Sequence, residues 1–144
     1  MDNQPVIVEA TYNQPKNEVW KALTNNDELK KWYFQLEDFK PEVGFKFQFT
    51  GGPDDGPQYL HLCQITQVVV EQKLAYTWRY DGFPGNSEIT WELFDDSHGC
   101  RLRLTHTGLE SFTKNGKDFS KESFNGGWNY FVNDALKNYL EAKK

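Results

Sequence analysis

Cysteine is scarce in this chain, with two among 144 residues, and no run of Lys or Arg exceeds two. Cys63 and Cys100 lack a Cys-x-x-Cys or metal-type spacing, so they read as two buried, reduced thiols rather than a disulfide or a metal site. A formal net charge of -5 and the missing basic stripe leave little to displace phosphate counterions, which sets nucleic-acid binding aside. No apolar run approaches membrane-spanning length, so no membrane insertion is expected. The start, Met1-Asp2-Asn3-Gln4-Pro5, lacks the charged and apolar regions of a secretory leader. His-Glu-x-x-His, a nucleophile elbow, a phosphate loop and a dinucleotide fingerprint are all missing. These gaps point to no catalytic set, no metal and no cofactor. They describe a soluble, cytoplasmic protein with one domain over residues 1–144.

Aromatic rings are what the chain has in quantity: seven Tyr, eleven Phe and five Trp, enough for broad apolar walls or a bulky core. Their spacing assigns elements. Val6 to Thr11 alternates as a first strand. Pro15 opens a helix with Val19, Trp20 and Leu23 on its apolar side; Asn25-Asn26-Asp27 ends it and caps a second, about Asp27 to Tyr33. The period then changes to two. Phe45, Phe47 and Phe49 alternate with polar residues, and Gly51 to Pro57 forms a long turn. Tyr59 to Val70 is a strand too long to stay regular, so a bulge is expected in it. Leu74, Tyr76, Trp78 and Tyr80 alternate next, followed by Ile89, Trp91 and Leu93. After the tight turn at Asp95 to Gly99 come Leu102, Leu104 and His106. A polar loop is expected from Glu110 to Lys121. The final stretch puts Phe124, Trp128, Phe131, Val132, Ala135, Leu136 and Tyr139 on one face of a long helix, which needs the concave side of the sheet as its partner.

The histidines differ in setting. His98 lies in a hairpin tip and reads as a solvated turn residue. His106 shares the inward face of Leu102 and Leu104, where a structural role outweighs a catalytic one. The facing of His61 depends on where the bulge falls and stays open. Asp54-Asp55 and Asp95-Asp96 read as turn-supporting carboxylates, and Arg79 as a surface residue.

Six short stretches, in order, resemble the helix-grip proteins of the START-like superfamily, and more narrowly the family named for the activator of the heat-shock-protein-90 ATPase. They are Glu18-Val19-Trp20-Lys21-Ala22-Leu23-Thr24, Leu29-Lys30-Lys31-Trp32, Val43-Gly44, Leu74-Ala75-Tyr76-Thr77-Trp78, Arg101 to Gly108, and Gly127-Trp128 with Leu136, Tyr139 and Leu140. The resemblance runs from about Val6 to Glu141. It implies an α+β helix-grip fold: a curved antiparallel sheet of about six or seven strands around a long C-terminal helix, with two short helices after the first strand. It also implies a cavity between sheet and helix for a small hydrophobic molecule such as a lipid, sterol or polyketide.

On that basis Phe45, Phe47, Phe49, Tyr76, Trp78 and Trp91 of the sheet face Trp128, Phe131, Val132 and Leu136 of the helix, and together form the expected ligand-binding site. Tyr76 and His106 are its polar groups, with His61 as a further candidate. The same residues could instead fill a solid core. Two other functions stay open: a cyclase or hydrolase using His106 or Tyr76 as proton donor, and contact with a chaperone or other protein in a stress response. The eponymous activators are co-chaperones with an additional N-terminal domain, whereas residues 1–12 here leave room for one strand.

Overall fold

Alternation in sequence becomes alternation in space in the computed structural model, which describes residues 5–33, 36, 38–52, 56, 58–116 and 119–142. Strand β1 (Val6–Tyr12) buries Val6, Val8 and Tyr12. Helix α1 (Lys16–Thr24) follows Pro15 and buries Val19, Trp20, Ala22 and Leu23. Asn25 ends α1 and caps α2 (Asn26–Trp32), its side chain accepting the Glu28 N–H at 3.2 Å. The second helix therefore starts and stops one residue before its expected bounds.

Five strands follow: β2 (Lys46–Gly51), β3 (Tyr59–Val69), β4 (Lys73–Tyr80), β5 (Ser87–Asp96) and β6 (Gly99–Thr107). They form one six-stranded sheet in the order β1-β6-β5-β4-β3-β2, with each neighbouring pair antiparallel. Phe49 pairs with His61, and His61 with Tyr80, so three rings stand side by side on the inner face. The register slips between Ile65 and Gln67, which is the expected irregularity of the long strand. Because it falls after Ile65, His61 keeps the parity of Cys63 and Ile65 and faces inward, 5% exposed.

The C-terminal helix runs without a break from Lys121 to Ala142 in three parts: α3 (Lys121–Asn129), a π turn (Tyr130–Ala135) and α4 (Leu136–Ala142). Phe124, Trp128, Val132, Leu136 and Leu140 are buried, one at every fourth position. Such a row drifts around a helix of about 3.6 residues per turn. The wider π turn slows that drift and keeps the row on the sheet: the Leu136 N–H reaches back five residues to the Phe131 carbonyl. The Val132 carbonyl accepts the Tyr12 hydroxyl of β1 at 2.6 Å, and Gln14 donates to the Leu140 carbonyl at 3.0 Å. These contacts tie one edge of the sheet to the helix.

Gly126 and Gly127 lie within α3. A helix-interior glycine costs about 1 kcal/mol relative to alanine. Packing does not explain the pair, since a Cβ at either position would meet nothing within 4 Å.

One segment corrects the sequence reading. Within the stretch expected to be a polar loop from Glu110 to Lys121, a 3-10 helix spans Leu109–Asn115, and Phe112 and Phe119 enter the core at 0% and 2% exposure. Each Phe stands alone among polar neighbours, so no period announced its burial. Phe112 also explains Gly85 in the facing turn, where a Cβ would lie 2.5 Å from the Phe112 ring. The Asp54-Asp55 pair lies outside the described residues. Both cysteines are buried and free, and Arg79 is exposed.

Candidate functional site

Sheet and helix do not close fully on each other. A cavity of about 420 Å³ remains between β3–β4 and α3. Its sheet wall is Tyr59, His61, Trp78 and Tyr80; its helix wall is Phe124, Gly127, Trp128 and Phe131, with Ser123 at the edge. Gly51, Gly52 and Phe119 also line it. Gly52, Ser123 and Gly127 are exposed, so they mark the mouth, while Trp78 and Trp128 lie at 3% exposure in the depth. A second hollow, of about 410 Å³, lies on the outer face of β2–β4 and is lined by Lys46, Gln48, Gln64, Thr77 and Arg79 among others. The inner cavity is mainly apolar and aromatic, whereas the outer hollow mixes charged and polar groups with Phe45, Phe47, Leu62 and Cys63.

The inner walls are held rigidly. Trp78 Nε1–H donates to the Tyr80 hydroxyl at 2.8 Å, and Trp128 Nε1–H donates to His106 Nδ1 at 3.0 Å. Their ring centroids stand 5.3 Å apart at 64°. With both indole N–H groups engaged and the rings in edge-on contact, the tryptophans present ring surface to the cavity beside them.

His106 sits behind Trp128 and is fully buried. Its Nδ1 accepts from Trp128, so Nε2 carries the proton and donates to Ser87 Oγ at 2.7 Å. Ser87 in turn donates to the Trp78 carbonyl at 2.9 Å. Burial lowers the His106 pKa to about 3, so the ring is neutral at physiological pH. Both nitrogens are spoken for, which leaves no lone pair for proton transfer. His61 is stacked on Phe49 with centroids 4.5 Å apart, and its Nδ1 bonds the Tyr59 carbonyl at 2.9 Å. Burial lowers its pKa to about 4, outweighing the hydrogen bonds that the ring makes to the Tyr59 and Phe49 backbone, which raise it.

Among the expected site residues, Trp78, Trp128 and Phe131 line the cavity. Phe49 backs His61, and His106 backs Trp128. Phe47, Tyr76 and Trp91 lie in an adjoining cluster, where the Tyr76 hydroxyl accepts Trp91 Nε1–H at 3.0 Å and bonds the Tyr33 hydroxyl at 2.9 Å. Val132 and Leu136 are fully buried in the core, and Phe45 is half-buried just before β2, beside the outer hollow. Sequence reasoning left out Tyr59, Tyr80, Phe119, Phe124, Ser123 and Gly127. Tyr80 shared the inward parity of Trp78, and Phe124 the apolar helix face, so both were within reach of the pattern; Phe119 carried no periodic signal.

A profile of the family described as "Activator of Hsp90 ATPase homolog 1-like protein" matches residues 13–141. The chain belongs to this family. Among solved structures, protein MLL2253 from Mesorhizobium loti is 25% identical with a TM-score of 0.78, covering 98% of this chain and 99% of that one. Protein BH1534 from Bacillus halodurans is 26% identical with a TM-score of 0.72, covering 94% and 95%. DynU16, a protein of the dynemicin biosynthetic locus, is 22% identical with a TM-score of 0.79; it covers all of this chain, which spans 49% of it. These relatives share the helix-grip fold. A comparison with curated proteins returned no match. Among the described residues, no helix is long and apolar enough to cross a membrane.

Proposed function

We propose that this family member is a cytoplasmic binding protein that holds a small hydrophobic molecule, lipid-, sterol- or polyketide-like, between sheet and C-terminal helix. The observation that carries this reading is the aromatic cavity of about 420 Å³. Its volume lies within the range of about 300 to 1,000 Å³ usual for small-molecule sites, and its lining is mainly apolar with few polar groups. Trp78, Trp128 and Phe131 supply contact surface for the ligand. Of the other expected residues, Phe47, Phe49, Tyr76, Trp91, His106, Val132 and Leu136 act by holding that surface in place, whereas Phe45 lies beside the outer hollow. The committed nitrogens of His106 favour binding over catalysis.

Titration with the neutral fluorescent probe phenylnaphthylamine tests this. Saturable uptake at one probe per chain is expected, displaced by other uncharged apolar molecules; a protein that leaves the probe in water would refute the reading.

A second reading rests on the family description: contact with a chaperone of the Hsp90 type. A changed chaperone ATPase rate on addition of the protein would support it, and an unchanged rate would remove it.

A further inference from the structure

Other buried tyrosine hydroxyls of this protein bond to groups inside the core. Tyr12 donates to the Val132 carbonyl at 2.6 Å, and Tyr76 shares hydrogen bonds with Tyr33 and Trp91. Tyr80 is different. It stands at the end of β4, 5% exposed, in the cavity wall. Phe119 and Phe112 fix its ring, with centroids 4.7 and 5.3 Å away. Its oxygen accepts Trp78 Nε1–H at 2.8 Å, which leaves the hydroxyl proton to be given elsewhere. Among the described residues nothing accepts it. A donor buried without an acceptor is costly, and the space beside this one is the cavity. Burial also raises the Tyr80 pKa well above the usual phenol range, so the proton stays in place.

Charge narrows the ligand further. None of the lining residues among those described is Asp, Glu, Lys or Arg, and burial keeps His61 neutral. A carboxylate or ammonium lodged against these residues would be desolvated without a counterion among them, which disfavours it. The walls are rings, which favour flat or ring-bearing molecules through stacked and edge-on contacts.

We propose that Tyr80 is the polar anchor of the cavity, donating its O–H to an acceptor oxygen on an uncharged, ring-bearing ligand such as a ketone, ester or quinone. This rests on the cavity being a ligand site and adds the chemistry that selects the ligand.

Two neutral naphthalene probes test the anchor: the ketone prodan, which carries a carbonyl acceptor, and phenylnaphthylamine, which has none. Tyr80→Phe is expected to weaken prodan binding about tenfold and phenylnaphthylamine binding less than about threefold. Equal losses for both, or no loss for prodan, would overturn the anchor while leaving the cavity standing. Uptake of neither probe by the wild-type protein would overturn the cavity reading and the anchor with it. The infrared carbonyl stretch of prodan bound to the wild-type protein gives a check that needs no variant. A frequency below that in an alkane supports the hydrogen bond, and an alkane-like frequency refutes it.

Discussion

His106 carries a chain of single-direction hydrogen bonds: Trp128 to His106, His106 to Ser87, Ser87 to the Trp78 carbonyl. The chain joins both tryptophans of the cavity through one neutral ring. Its pH dependence follows in sign. In the unfolded chain the ring titrates near 6.5, and in the folded protein at about 3. Below pH 6.5 the unfolded state takes up a proton that the folded state refuses, so stability is complete above 6.5 and is lost as pH falls. His61, held at about 4, acts in the same direction. Each ring contributes a slope of about 1.4 kcal/mol per pH unit within its window. Urea unfolding at pH 7, 6 and 5 is expected to show falling stability, over a range in which ordinary carboxylates stay largely ionised. A flat profile would show that neither buried ring is held neutral. Ser87→Ala removes the acceptor of His106 Nε2–H and is expected to cost about 1 to 3 kcal/mol in the same measurement.

At the scale of the element, the C-terminal helix combines two departures from regularity with different consequences. The π turn lets every fourth residue stay on the sheet and offers the Val132 carbonyl to Tyr12. Tyr12→Phe should therefore lower stability by about 0.5 to 1.5 kcal/mol by chemical denaturation, and an unchanged midpoint would mean that the bond contributes nothing. The glycine pair acts at the mouth. Ser123, Gly127 and Phe131 follow one another at four-residue spacing along the cavity edge, and a side chain at 127 would enter open space there. Gly126 is equally free of neighbours but does not line the cavity. Leucine at either position should stabilise the helix by about 0.5 to 1 kcal/mol. Only Gly127→Leu should slow association of phenylnaphthylamine in stopped-flow mixing, by about tenfold or more. Equal rates for Gly126→Leu and Gly127→Leu would mean that the mouth lies elsewhere.

For the whole molecule, periodicity carries the architecture because a half-buried strand and an amphipathic helix must repeat their apolar residues at the period of their backbone. Phe47 and Phe49, Tyr76 to Tyr80, and Ile89 to Leu93 are read correctly for that reason. The lone rings Phe112 and Phe119 are not, since a loop that folds back over a core needs no repeat. The site is legible in part. Trp78, Trp128 and Phe131 lie on faces that the pattern assigns inward, and they meet at the cavity. His106 and Tyr76 share the same inward parity but spend their polar atoms on protein partners, which depends on which residues oppose them across the sheet and along the helix. Whether opposed faces touch or stand apart depends on their curvature and separation, and neither is written in a one-dimensional pattern. That separation is open beside Trp78 and closed beside Leu136.

A two-dimensional amide NMR titration of labelled protein with phenylnaphthylamine tests the proposed ligand site most directly. The account predicts saturable shifts at Gly51, Gly52, His61, Tyr80 and Gly127, around the inner cavity. Shifts confined to Lys46, Gln64 and Arg79 on the outer face, or none at all, would contradict it.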